Sequence, residues 1–226
     1  MANFEELGIN ATLRRAIDEL GFVMPMPVQE AVIPQLLATL SARENSREAA
    51  PDDTDSSTAP TDGTSQECGT EAPGTETSSA AAATPDTTPH DIIALAQTGT
   101  GKTAAFGLPL LQALDLSRRE TQAVIMSPTR ELCLQISDDL RDFGKYMDGL
   151  RITAVYGGAP IDSQIRQLRK GTHVIVATPG RLVDLTERGV ADISTASTIV
   201  LDEADEMLNM GFSESINAIF DQLPPS

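Results

Sequence analysis

Five short apolar runs, at 92–95, 123–126, 152–155, 173–177 and 198–201, recur along the later part of the chain with helical patterns between them. No other feature of the sequence restricts the possible folds as much. Runs of four or five apolar residues alternating with helices read as strands of a parallel sheet covered on both faces, so an open α/β fold is expected. Ahead of them, Leu13, Ala16, Ile17 and Leu20 recur at helical spacing, with Asn10 placed to cap and Gly21 to stop the helix, and 28–40 repeats the pattern. In such sheets ligands sit outside the carboxyl ends of the strands, which makes the residues just after each run the ones to inspect.

Between Leu40 and Ile92 the chain has no Val, Ile, Leu, Met, Phe, Tyr or Trp. This Ser, Thr, Pro, Ala and acid-rich stretch has nothing to offset the entropy of ordering, and 41–89 is expected to be a disordered insertion in one globular domain. The domain itself is then built from 1–40 and 90–226. Glu48 to Pro89 holds nine acidic and no basic residues, which is -9 of the net -17 and leaves -8 elsewhere. An acidic folded part counts against a polyanionic partner, since binding one depends on neutralising phosphates with Lys and Arg. Cys68 and Cys133 are too few for a disulfide framework or a zinc site. With no apolar stretch of about 18 residues and no basic, apolar start at Met1 to Ile9, no membrane association and a cytoplasmic location are expected.

The stretch "AQTGTGKTAAF", 96–106, follows the first run directly. Its glycines let backbone N–H groups turn toward phosphate oxygens, the helix start that follows favours negative charge, and Lys102 can reach the outer phosphates. Thr103 is placed to bind Mg²⁺. The general phosphate-loop pattern has Gly where this chain has Ala96, a departure of one small residue. After the run at 198–201 come Asp202, Glu203, Ala204 and Asp205. One carboxylate can hold magnesium through water while its neighbour orients or deprotonates an attacking water, as phosphoanhydride hydrolysis requires. Taken alone, the acids could equally be a negatively charged helix N-terminus.

With "AQTGTGKT" and "DEAD" in this order and setting, the chain resembles the N-terminal RecA-like lobe of a DEAD-box RNA helicase. "GFVMPMPVQ" is similar to the Q motif of that family with Phe4 upstream, "PTRELCLQ" to motif Ia, "YGGAP" to its glycine pair and "TPGR" to motif Ib. The resemblance covers everything except the insertion. It implies a RecA-like P-loop domain in which ATP and Mg²⁺ are bound by Gln97, Thr98, Gly99, Thr100, Gly101, Lys102 and Thr103. It further implies that Gln29 reads the adenine with Phe4 and Phe22 near the base, that Asp202 joins Thr103 on the magnesium, and that Glu203 activates water. Lys102, Asp202 and Glu203 would then be the catalytic set. For RNA it implies Pro128, Thr129, Arg130, Gly157, Gly158, Thr178, Pro179, Gly180 and Arg181, types that suit sugar-phosphate contacts without base reading. Read singly, Thr-Pro-Gly-Arg is an ordinary turn into a helix, and Gly157-Gly158 an ordinary strand exit.

Met26 stands where the Q motif usually has a small hydroxyl residue, which is expected to loosen local hydrogen bonding without removing Gln29. The family pattern continues past "DQLPPS" with a Ser-Ala-Thr motif, the usual partner of Asp205 in interlobe coupling, and with a second RecA-like lobe that supplies arginines to the nucleotide and half of the RNA surface. The chain is therefore expected to hold half of a helicase site, binding ATP but unwinding little or nothing alone. The alternative is a non-catalytic fragment that binds nucleotide or a protein partner. His173 reads as structural, and Met207, Met210 and Phe212 read as core.

Overall fold

A computed structural model describes residues 3–48, 91–97 and 99–224. The element order is α1 (Ala11–Glu19), α2 (Pro27–Glu48), α3 (Lys102–Gln112), β1 (Ala123–Met126), α4 (Arg130–Phe143), β2 (Ile152–Val155), α5 (Ile161–Leu168), β3 (Val174–Ala177), α6 (Pro179–Glu187), β4 (Thr198–Leu201), α7 (Ala204–Asn209) and α8 (Ser213–Phe220). The four strands form one parallel sheet in the order β2-β3-β1-β4. This is the α/β architecture that the alternating runs imply.

Side chains of a strand point alternately to its two faces, and both faces are filled. Ala123, Ile125, Val174 and Val176 face a core completed by Leu13 and Ile17 of α1, Leu108 and Leu111 of α3, and Ile136 and Leu140 of α4. Val124, Met126, Ile175 and Ala177 face a second core with Leu182 and Leu185 of α6 and Ile216 and Ile219 of α8. Asn10 caps α1 as expected, its Oδ1 accepting from the Leu13 N–H at 2.9 Å. His173 is buried at the entry to β3, with Nδ1 accepting from the Arg151 N–H at 3.1 Å, and burial pushes its imidazole below the usual value. Met207 and Phe212 join the second core, but Met210 is 50% exposed because the chain turns out of α7 there and reverses at Gly211.

Two expectations need correction. The run at 92–95 forms no strand: Ile93 is 91% and Leu95 96% exposed, and β4 closes the sheet as a half-buried edge. A four-residue strand gains one ladder, and ordering it also restricts the long polar stretch before it and the glycine-rich turn after it. Secondly, α2 runs eight residues past Leu40 to Glu48. "SARENSRE" has no apolar period, but it is rich in good helix formers, and extending an existing helix is far easier than nucleating one. The rest of the expected insertion, 49–89, lies outside the described residues. Among the described residues, no helix is long and apolar enough to cross a membrane.

Candidate nucleotide and RNA site

Gly99 and Gly101 both take φ near +80°, a left-handed conformation that suits glycine, and between them the Thr100 hydroxyl donates to the Gln97 carbonyl at 2.7 Å. Gly101 is the N-cap of α3 and offers no side-chain acceptor, so the loop leads into a helix start whose N–H groups are not capped by a side chain. Thr98 lies outside the described residues. Lys102 begins the helix, and its Nζ stands 3.9 Å from Oδ1 of Asp202.

Asp202 is the first residue beyond β4, held by its N–H donating to the Met126 carbonyl at 2.9 Å. It is 8% exposed; burial raises its carboxyl above the usual value, against the pull of Lys102 and a backbone hydrogen bond from Glu203. Because the folded value lies above the unfolded one, this group favours folding below the unfolded value and loses that contribution as pH rises through the folded value. At neutral pH the carboxylate is therefore a net burden on stability. Asp202→Asn is expected to raise the melting temperature at pH 7, with the gain vanishing as pH falls below the ordinary value of 3.8. A variant no more stable than its parent at pH 7 in paired thermal scans would contradict this.

Glu203 has φ 53° and ψ 49°, and among the described residues no other non-glycine has positive φ. A long side chain held left-handed is strained, and such strain persists where surrounding structure enforces it. The turn places consecutive carboxylates, one buried and one half-buried, at the carboxyl edge next to Lys102. Asp205, two residues on, is exposed on α7.

Gln29 is fully buried and joins the helix start of α2 to the glycine loop. Its Oε1 accepts from the Met26 N–H at 2.9 Å, and its Nε2 donates to the Gly101 carbonyl at 3.1 Å. A carboxamide has four hydrogen-bonding capacities, of which these two bonds use two. Met26 accepts from the Glu30 N–H at 3.0 Å and so occupies the N-cap of α2, with Gln29 at N3 reaching back to it. This is one half of a capping box; the half a hydroxyl side chain would contribute is absent. Met26→Thr is expected to stabilise the protein by about 1 kcal/mol, seen as a melting temperature higher by roughly 2–4 °C. Phe4 is buried against Phe22, ring centroids 6.5 Å apart, and Phe22 meets Phe143 edge-on at 5.8 Å.

Burial raises the carboxyl of Asp139 of α4, against a smaller lowering by the nearby Thr103 side chain. Among the described residues, no group of three or more His, Cys, Asp and Glu side chains is arranged to hold a metal ion. Mg²⁺ commonly binds through one or two carboxylates together with substrate phosphates and water, and the half-exposed Lys102 and Thr103 beside the buried Asp202 would suit such a shared site.

The residues singled out for RNA lie at the carboxyl ends of three neighbouring strands. After β1, Pro128 is buried, Thr129 caps α4 by accepting from the Leu132 N–H at 3.2 Å, and the Arg130 guanidinium lies 5.0 Å over the Tyr156 ring. Gly157 and Gly158 are exposed beyond β2. Past β3, the Thr178 N–H donates to the Val155 carbonyl at 3.0 Å, Pro179 starts α6 and Gly180 is exposed. Arg181 donates to Gln164 Oε1 at 3.1 Å and to the Ala159 carbonyl at 3.4 Å. Gln164 and Tyr156 thus hold Arg181 and Arg130 without having been singled out from sequence. Gln164 did leave a trace, as a polar residue on the apolar stripe of α5 formed by Ile161, Ile165 and Leu168.

The family model described as DEAD/DEAH box helicase matches residues 77–226. The chain is 38% identical over 228 residues to the ATP-dependent RNA helicase DeaD of Escherichia coli strain K12, covering 99% of this chain and 28% of that protein. It is 48% identical over 224 residues to the DEAD-box ATP-dependent RNA helicase CshA of Bacillus cereus, covering 99% of this chain and 33% of CshA. Among solved structures, a DEAD box protein from the hyperthermophile Methanococcus jannaschii superposes with a TM-score of 0.71 at 30% identity, over 98% of this chain and 47% of that one. The chain therefore spans about a third or less of the length of these curated relatives.

Proposed function

The chain belongs to the DEAD/DEAH box helicase family, and from that premise we propose that it is the ATP-binding lobe of an ATP-dependent RNA helicase acting in the cytoplasm. The observation that carries this reading is the meeting of the glycine loop, Lys102 and the Asp202-Glu203 turn at one edge of the sheet, with Gln29 bonded directly to the loop. Bound there, magnesium-ATP supplies a phosphoanhydride poised for hydrolysis. Gly99, Gly101 and Lys102 hold the phosphates, Thr103 and Asp202 hold the metal mainly through water, Gln29 reads the adenine, and Glu203 orients and deprotonates the attacking water.

RNA lies across Pro128 to Arg130, Gly157 and Gly158, and Thr178 to Arg181. Exposed glycine backbone and fixed arginines there suit a sugar-phosphate strand of any sequence. A second RecA-like lobe, coupled through Asp205, supplies further cationic groups to the nucleotide, a contribution on the order of a thousandfold or more in turnover. Alone, this lobe binds ATP, hydrolyses it slowly and does not separate strands. The test is steady-state ATP hydrolysis and strand separation by the purified chain, with and without single-stranded RNA, against Lys102→Ala as the blank. Slow turnover abolished in the blank, with no unwinding, is the expected result. ATP-dependent unwinding by the chain alone, or hydrolysis unaffected by Lys102→Ala, would overturn the reading.

A further inference from the structure

The nucleotide and RNA residues occupy the carboxyl ends of the strands. At the opposite end, where β2 and β3 begin, a groove of about 550 Å³ runs between the end of α4 and the turn before β3. Met147 and Leu150 contribute apolar surface, and Arg141, Lys145, Arg151 and Lys170 line it with no acidic residue among the lining. Arg141 is paired with Asp138 at 2.7 Å and Lys145 with Glu19 at 2.6 Å. Arg151 donates to the Lys170 carbonyl, and among the described residues neither Arg151 nor Lys170 has a carboxylate partner. The groove is thus a cationic patch on a chain of net charge -17.

The sequence contains a complement to it. Glu48 to Pro89 carries nine acidic and no basic residues. The path of α2 brings this segment out at the matching end. Gln29, near the start of α2, bonds the glycine loop at the carboxyl edge, whereas Leu37 lies beside Gly8, whose carbonyl accepts from Gln112 at the far end of α3. That far end is tied through Asp115 to Gln122, immediately before β1. Helix α2 therefore runs toward the amino ends of the strands and releases the acidic segment there. Forty-odd residues can span on the order of 130 Å, so reach does not limit contact, and tethering holds the local concentration of acid near the groove in roughly the millimolar range.

We infer that the acidic segment 48–89 docks in cis on the groove formed by Arg141, Lys145, Arg151 and Lys170. The contact is electrostatic and multivalent, so it depends on salt and does not require one fixed backbone path. It also covers a cationic surface remote from the RNA residues, keeping it from free RNA phosphate.

Cys68 lies within the acidic segment and provides a native attachment point. Cys133 does not compete for a thiol reagent, since it is buried and its thiol is pushed up to about 12. With a nitroxide label on Cys68 of the whole chain, backbone amide signals of 144–152 and 167–171 are expected to broaden about threefold more than those of 178–181 at low salt. The difference should disappear in about 0.5 M salt, where the screening length is a few ångströms. It should also weaken in Lys170→Glu and vanish in the Arg151→Glu, Lys170→Glu double variant; the exposed Lys170 change serves alone if the double variant does not fold. Even broadening over the surface, or broadening indifferent to salt and charge reversal, would overturn the inference. So would groove signals that shift with added single-stranded RNA while the label leaves them untouched, since the occupant would then be RNA.

Discussion

Replacing Glu203 with Gln is expected to slow ATP hydrolysis by about 10²–10⁴-fold while leaving ATP affinity nearly unchanged. The two side chains are almost the same shape, so the left-handed turn at φ 53° and the packing of Asp202 beside it are kept. What is lost, in the proposed mechanism, is the carboxylate that accepts a proton from the attacking water. Phosphate and metal contacts come from Gly99, Gly101, Lys102, Thr103 and Asp202 in this reading, and none of them is altered. Single-turnover hydrolysis with RNA present, paired with an equilibrium ATP titration, separates the two quantities. A variant that hydrolyses ATP at the parent rate would remove Glu203 from the chemistry. One that no longer binds ATP would show that its role is structural, with the strained turn as the feature that matters.

Gly101→Ala is expected to combine a large loss of stability with loss of nucleotide binding. Its φ of +80° is disfavoured for alanine by about 1–2 kcal/mol. The added methyl would also overlap Nε2 of Gln29, which is fully buried and holds both the Met26 N–H and the Gly101 carbonyl. Pushing that carboxamide aside leaves at least one polar group without a partner, at about 1–3 kcal/mol. Together these predict destabilisation of about 2–5 kcal/mol, or roughly 5–15 °C in Tm for a chain of this size. If the clash with Gln29 is a main cause, the double variant Gln29→Ala, Gly101→Ala should be less destabilised than the sum of the single changes. Additive losses would assign the whole effect to backbone strain.

The same pair of residues shows what sequence could and could not disclose. The motif around Gln29 gives the expectation that it reads adenine, but its bond to Gly101, 72 positions away, depends on how α2 lies against α3 and leaves no local mark. Four apolar runs became strands because each found at least one strand to pair with, β1 lying between β3 and β4. The run at 92–95 has the same composition and formed none, since apolar character records a preference for burial but not the availability of a ladder. The positive φ of Glu203 was equally hidden, glutamate being a residue with no preference for that conformation. Met26 marks the reverse case: the missing hydroxyl was visible in the sequence, and the structure supplies its meaning as an incomplete capping box.

Equilibrium titration of the purified chain with magnesium-ATP and magnesium-GTP, in parallel with Lys102→Ala, is the most direct test of whether this lobe is an adenine-selective nucleotide site. Saturable ATP binding, at least about tenfold weaker for GTP because the buried Gln29 carboxamide must match the base edge, and abolished by Lys102→Ala, is the result predicted here. Absence of ATP binding, equal affinity for GTP, or binding that survives removal of Lys102 would contradict it.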